Sequence, residues 1–314
     1  MRAEKNQLAL ELGRKEAELD RLKQRADGAT RPFEGDIILT SAQKDAIKQS
    51  TAPTRPGDVS GELLTNMARA ALRDTARLWP NAELPYDVGE GLFSMFIEMP
   101  EFLTPWTAAV KQIEERTCIK IRPRQPTDAH WVTLRSGAGC SSLIGYQQYP
   151  TYCDAGYYYR PCSPTSGQYV TLENDVCWTE GNIAHELMHA LGFYHEQART
   201  DRDQFVEIVH ENIEKGMDDQ FSKYDQTKIT HGETEYDYQS LMHYPPDAFS
   251  RQPGVLETIR PKKAGVKLPT ENKQLSDRDV EELNKLYGCK LGLVHDGRRL
   301  EGLDAAKLCK VLLS

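Results

Sequence analysis

The 314-residue chain is 39% hydrophobic and 27% charged, the composition of a folded protein able to bury a sizeable core as one large domain or two ordinary ones. Its formal net charge of -8, with no Lys/Arg cluster, excludes an electrostatic grip on nucleic acid. No stretch approaches the roughly 18 consecutive apolar residues of a membrane span.

Seven cysteines point towards an oxidising compartment. The opening MRAEKNQLALELGRKEAELDRLKQRADG has an early positive charge but no apolar run, so it does not read as a secretory signal peptide. Residues 4–25 lack Pro, hold a single glycine (Gly13) and set Leu8, Leu12, Leu19 and Leu22 along one stripe, which predicts a charged, exposed helix rather than a dedicated coiled coil. Asp27 to Pro32 reads as a linker, and 33–69, rich in Pro, Gly and Thr, as a loosely built arm. A globular texture begins near residue 70 with LWPNAELPYDV. A helix is predicted in TAAVKQIEERT, and strands in IKIRPR, HWVTLRSG and QYVTLE. Beyond residue 203 periodicity fades until SDRDVEELNKLYG, a helix with Ser276 as N-cap and Gly288 as its stop. The mixture predicts an α+β fold with irregular portions.

The densest chemistry lies in HELMHALGFYHEQARTDRD, residues 185 to 203, which holds three of the eight histidines. His185 and His189, four apart, share a helix face and can present two imidazoles to one ion, with Glu186 beside them as a base. On a straight helix His195 would lie about 15 Å beyond His185, too far for the same ion. Gly192 can take a left-handed conformation that ends the helix and returns the third histidine. H-E-x-x-H alone arises by chance in a chain this long at roughly the per cent level, and adding the glycine and third histidine lowers that to about one in ten thousand. A structural accident is therefore set aside.

This stretch resembles the H-E-x-x-H-x-x-G-F-x-H-E-x-x-R-x-D-R-D signature of astacin zinc endopeptidases, and SLMHY at 240–244 is similar to their Met-turn. The resemblance extends over about residues 33 to 289. It implies a metzincin fold: an upper twisted mixed sheet with long helices, including the zinc helix, and a lower, largely irregular subdomain, with a cleft between. It implies one Zn2+ per catalytic domain, held by His185, His189 and His195, with Tyr244 as an additional, displaceable ligand and oxyanion stabiliser, and Met242 beneath the ion. Glu186 is then the general base of peptide hydrolysis through a metal-activated water, acting on protein or peptide substrates. A catalytically silent binding protein is the competing reading, disfavoured by the intact Glu186 and Tyr244. Another type of metzincin is disfavoured by FEGD and by the residues after His195.

FEGD at 33–36 resembles the family's propeptide element, which implies that Asp36 ligates zinc in a latent form. NMARAALRDTARLW aligns with the mature start. Cleavage after Arg69 by a trypsin-like protease would then free Ala70, whose amine the family directs to the position of Glu196. The resemblance also pairs Cys118 with Cys289, a closure of roughly 5 kcal/mol in a chain-entropy model, and Cys140 with Cys177. Cys153 and Cys162 lie close together in an apparent insertion and suggest a local third bridge, leaving Cys309 over; Tyr157, Tyr158 and Tyr159 in the same insertion form either a substrate rim or a functionless surface loop. Lys273 lies near the family's variable determinant of the primed-side pocket. The implied organisation is a charged extension (1–32), a propeptide (33–69), a catalytic domain (70–289) and a tail (290–314). The implied location is outside the cell.

Overall fold

The structure of the chain is a computed structural model, which describes residues 11, 14–15, 36–38, 71–72, 75–89, 99–147, 167–224, 229–230, 234–270, 274–289, 294–295 and 298–299. The helix expected over 4–25 is seen at positions 11, 14 and 15 only; Arg69, Ala70, Cys153, Tyr157, Tyr158, Tyr159, Cys162, Lys273 and Cys309 lie outside the described residues. The main sheet comprises β1 (Ile37–Ile38), β3 (Glu83–Val88), β4 (Lys120–Pro123), β5 (Val132–Arg135), β6 (Cys140–Leu143) and β7 (Gln168–Leu172), while β2 (Ala71–Leu72) lies outside it. Their order across the sheet is β1-β6-β7-β5-β3-β4. Neighbours from β7 to β4 run parallel, and β6 runs antiparallel to β7. Central β5 has Val132 and Leu134 on one face and Thr133 on the other, all buried, as a parallel strand covered on both sides must.

Two helices pack on this sheet and share one apolar core with it. In α1 (Pro100–Glu114) the buried residues Phe102, Trp106, Ala109 and Ile113 recur every three to four positions, giving a single inward stripe. The helix begins before the predicted TAAVKQIEERT because Pro100, at its first turn, has a backbone angle already suited to helix entry. In α2 (Glu180–Ala190) the Thr179 side chain accepts from the amide of Asn182 at 3.1 Å, which caps the N-terminus. Its C-terminus is held from outside: the indole of Trp79 donates to the Ala190 carbonyl at 2.8 Å and the Tyr287 hydroxyl to that of Leu191 at 2.9 Å.

The described residues from Glu196 to Leu268 run mostly through single 3-10 turns and loops, with β8 (Val206–Ile208) paired antiparallel to β10 (Ile259–Pro261), and β9 (Ile229–Thr230) paired to β2. A separate apolar cluster of Val206, Ile213, Phe221, Tyr236, Tyr244, Ile259 and Leu268 fills this part. The last helix, α3 (Asp277–Leu286), is entered through a reciprocal cap in which Ser276 and Asp279 each accept the other's amide at 2.9 Å. Leu283 joins the main core, while Asp279 and Glu282 face the irregular segment. Disulfides join Cys118 to Cys289, tying the end of α3 to the strand region, and Cys140 to Cys177, tying β6 to the loop before α2.

Candidate metal centre

His185 and His189 project from one face of α2, their ring centroids 4.6 Å apart. The helix stops at Ala190, and Gly192, with φ 107, occupies a backbone region that favours glycine. Its amide donates to the His189 carbonyl at 2.8 Å and that of Phe193 to Met188 at 3.0 Å, closing the helix end. The returning chain brings His195 back: its ring lies 5.2 Å from that of His185 and 4.8 Å from that of His189. Asp36 completes the group, its Oδ2 3.2 Å from His185 Nε2 and its Oδ1 3.2 Å from His195 Nε2 and 3.5 Å from His189 Nε2. One ligand atom from each of these four residues lies within 4.8 Å of all the others.

The outward-facing ring nitrogens explain why the inward ones are free to bind a cation. The Nδ1–H of His185 donates to the Leu241 carbonyl at 3.1 Å and that of His189 to the Phe193 carbonyl at 2.7 Å. A neutral imidazole whose Nδ1 carries the proton has a lone pair at Nε2. Yet His185 Nε2 and His195 Nε2 lie only 3.1 Å apart, and the buried atoms His189 Nε2, Asp36 Oδ1 and Glu186 Oε2 have no hydrogen-bond partner. Converging lone pairs and orphaned acceptors are unfavourable with one another and favourable around a divalent cation. Three imidazoles and a carboxylate are a donor set suited to zinc.

Electrostatics agree with this arrangement. Burial holds the His189 pKa down at about 4 and also lowers that of His185, so both rings stay neutral, as ligands must. Burial opposes the charge on Asp36, and positive charge among the imidazoles, His195 first, outweighs that cost and holds its carboxyl well below the ordinary range; a bound cation would supply that charge while leaving the rings neutral. Glu186, also on α2, is pushed well above its usual value by burial and then by the charge of Asp36.

Asp36 reaches the cluster because β1 adds to the sheet edge. Ile37 pairs with Ser142 and Ile38 with Leu143, parallel to β6, and the Ser142 amide donates to the Asp36 carbonyl at 3.0 Å. Ile37 is fully buried, so this segment is anchored by packing as well as by the ladder.

The turn Ser240–Tyr244 adjoins the imidazoles. Met242 is buried in the main core, and the Tyr244 ring packs 4.6 Å from that of His195. Asp279 holds the turn from α3: its carboxylate accepts from the Ser240 hydroxyl at 2.7 Å and the Leu241 amide at 2.8 Å. Glu196 accepts from the Asp237 amide at 2.8 Å and from Arg199 Nη1 at 3.0 Å, and Arg199 also forks onto Asp201 at 2.9 Å. Burial raises the Glu196 pKa to about 8 against the pull of Arg199, with the charge of Glu282 adding to the rise. The roles of Arg199, Asp201, Gln197 and Asp279 go beyond what spacing revealed. Glu196, Arg199 and Asp201 lie in the H-E-x-x-R-x-D-R-D stretch that carries the resemblance, which assigned no role to Arg199 or Asp201, and Gln197 and Asp279 carried no signal.

Among known families, the model of Astacin, a peptidase family, matches residues 71–156 and 162–288. The chain is 33% identical over 257 residues to zinc metalloproteinase nas-4 of Caenorhabditis elegans, covering 82% of this chain and 69% of that one. It is 32% identical to nas-13 of the same organism over 82% of this chain and 50% of that protein, so it spans half the length of that relative. Among solved structures, High choriolytic enzyme 1, a hatching enzyme zinc-protease from Oryzias latipes, superposes with a TM-score of 0.56 at 28% identity, covering 70% of this chain and all of that one.

Proposed function

The chain belongs to the astacin family of zinc metallopeptidases, and from that premise we propose that it is a secreted endopeptidase made as a latent zymogen. The observation that carries the proposal is the position of Asp36, whose carboxylate lies against all three imidazoles of the zinc site from a segment outside the matched family domain. His185, His189 and His195 would hold the ion. Zinc bound there supplies Lewis-acid chemistry that makes water a usable nucleophile near neutral pH.

The chain's own residues do the rest. Glu186 takes a proton from the attacking water as its oxygen bonds to the scissile carbonyl carbon, and returns it to the amide nitrogen as the C–N bond breaks. Tyr244 donates its hydroxyl to the carbonyl oxygen as negative charge gathers there. Met242 packs beneath the site. With Asp36 in the cluster, a ligand position is taken and water is kept from it.

Release then requires that the arm of residues 33–69 be separated from the catalytic domain of 70–289, by a trypsin-like cut after Arg69. The freed amine of Ala70 is directed to Glu196. The neighbouring Ala71 is already buried, pairing with Thr230 in a short ladder and bridging to Phe193 at the end of the zinc helix. The charges of Glu282 and Asp237 act on Glu196 in the same direction as burial, against the pull of Arg199, so an added ammonium there is electrostatically favoured.

A protein-cleavage assay on the intact chain and on trypsin-treated chain tests this, with the N-terminus of the active species read by mass spectrometry. Chelator-sensitive cleavage should appear only after treatment and coincide with a terminus at Ala70. Full activity in a chain still beginning before Phe33 would contradict latency, and no activity in either form would favour a silent binding protein.

A further inference from the structure

Tyr244 must do two things under the reading above: approach the site and withdraw from it. A side chain can move in this way over a defined path only if its backbone is fixed. Both peptide groups of Tyr244 are in fact held by side chains. Its amide donates to Gln197 Oε1 at 3.0 Å, and its carbonyl lies 2.7 Å from Nδ1 of the adjacent His243.

The chemistry of the second contact settles the state of His243. A carbonyl only accepts, so Nδ1 carries the proton and, in the neutral ring, Nε2 is an acceptor. That lone pair meets the hydroxyl of Tyr236 at 2.7 Å. Burial, followed by the charge of Glu196, raises the Tyr236 pKa well above its ordinary value, so the phenol remains a donor throughout the neutral range. The Tyr236 ring is stacked on Phe205, 4.7 Å between centroids at 11°, which leaves its hydroxyl little freedom of direction. Tyr236, Gln197 and His243 are all buried.

A second strap reinforces the arrangement: the Glu196 amide donates to the Met242 carbonyl at 3.0 Å. The segment carrying the third imidazole and the turn carrying Tyr244 therefore move as one piece. The tyrosine ring itself touches aromatic surface, with centroids 4.6 Å from His195, 5.5 Å from Phe249 and 6.1 Å from Phe221. Phe249 has φ 50, a conformation uncommon for a bulky side chain.

We propose that His243, aligned by Tyr236, and Gln197 are positioning residues that clamp the two peptide groups of Tyr244 so that its side-chain torsions alone carry the hydroxyl relative to the three imidazoles. The inference rests on the reading of Tyr244 as an oxyanion stabiliser and displaceable ligand, and adds residues to which that reading gives no part. The clamp acts on turnover more than on substrate affinity, because it sets where the phenol stands when charge develops on the carbonyl oxygen.

The test uses the full chain after trypsin treatment, with Tyr244→Phe as the reference. His243→Leu and Gln197→Met should each lower kcat by about 10- to 100-fold with KM within about threefold, at unchanged zinc content. His243→Asn places an amide N–H where Nδ1 stood and should recover kcat to within about fivefold of the parent. His243→Gln, closer in size but with its amide near Nε2, should not; loss of packing alone would give the opposite order. In the copper(II)-exchanged protein, the phenolate-to-copper charge-transfer absorption should be present in the parent and His243→Asn, weakened in His243→Leu and lost in Tyr244→Phe.

Should His243→Leu fail to fold, Tyr236→Phe removes a single hydroxyl and should lower kcat by about three- to tenfold. Parental kcat and absorption in His243→Leu or Tyr236→Phe, with Tyr244→Phe impaired, would overturn the clamp and leave the role of Tyr244 standing. Parental kcat in Tyr244→Phe would instead remove Tyr244 from the reaction and the clamp with it.

Discussion

Between β3 and α2 the sheet and two helices meet in one apolar core, where Phe102, Leu134, Ile183 and Leu187 lose their whole exposed surface. The described residues from Glu196 to Leu268 hold little regular structure, and much of what they bury is polar: Glu196, Gln197, Arg199, Asn212, Asp237 and His243 are all out of solvent. The first region is stabilised by area removed from water, which sums over many contacts. The second depends on specific partners, since a buried polar group costs free energy unless paired. The three imidazoles span that divide, two on the rigid helix and one at the head of the polar segment. A metal site there joins two kinds of structure, and damage to either reaches it differently.

The largest effect should come from Glu186→Gln, which keeps the shape of the buried side chain and removes its proton acceptor. Peptidase activity of the processed chain should fall by about a thousandfold or more with zinc content and thermal midpoint unchanged. Turnover like that of the parent would remove Glu186 as the base. Next, Arg199→Leu should destabilise by about 3–5 kcal/mol, because the buried Glu196 is left without its cation and the partly exposed Asp201 loses its fork. Phe102→Ala should cost about as much, 3–5 kcal/mol, through a cavity in the other region.

Denaturant titration of double variants distinguishes the two cases. Arg199→Leu combined with Glu196→Gln should show a coupling of about 1–3 kcal/mol, whereas Arg199→Leu with Phe102→Ala should be additive within about 0.5 kcal/mol. Additivity in both pairs would erase the contrast between the regions.

The smallest effect concerns a polar group on the sheet side. Arg122 forks onto Asp128 at 2.8 and 2.9 Å and, helped by the Gln125 amide, overcomes burial to hold the Asp128 pKa at about 2. A carboxyl lowered on folding contributes stability that is present above its unfolded pKa, about 3.9, and lost as the pH falls towards 2. Asp128→Asn should therefore cost about 1 kcal/mol at pH 7 and make the unfolding free energy less steep between about pH 4 and 2. An unchanged acid limb would show the pair to be dispensable.

The same division decides what could be read from residue order. Helix α3 was legible at both ends, because Ser276 and Gly288 (φ 62) are local signals for a cap and a stop. Strand β6 was not: Ser141 and Ser142 are small and polar, and they are buried only because β1 and β7 flank them. The start of α1 lies ahead of the predicted TAAVKQIEERT, because Pro100 sits in the first turn, which tolerates it. In the polar segment the partners are far apart in sequence, as with Asp279 and the Leu241 amide or Gln197 and that of Tyr244, separated by 38 and 47 positions. No window of sequence contains both. At the site, the spacing of His185, His189 and His195 announced convergence, while the acceptors that orient two of the rings are backbone carbonyls of Leu241 and Phe193, which have no residue signature.

X-ray absorption at the zinc edge of the intact chain tests the central claim most directly. The account predicts one zinc per chain with a first shell of three imidazole nitrogens and carboxylate oxygen, the oxygen being exchanged when the arm carrying Asp36 is cut away. Fewer than three imidazoles around the metal, or intact chain that holds no zinc tightly, would contradict it.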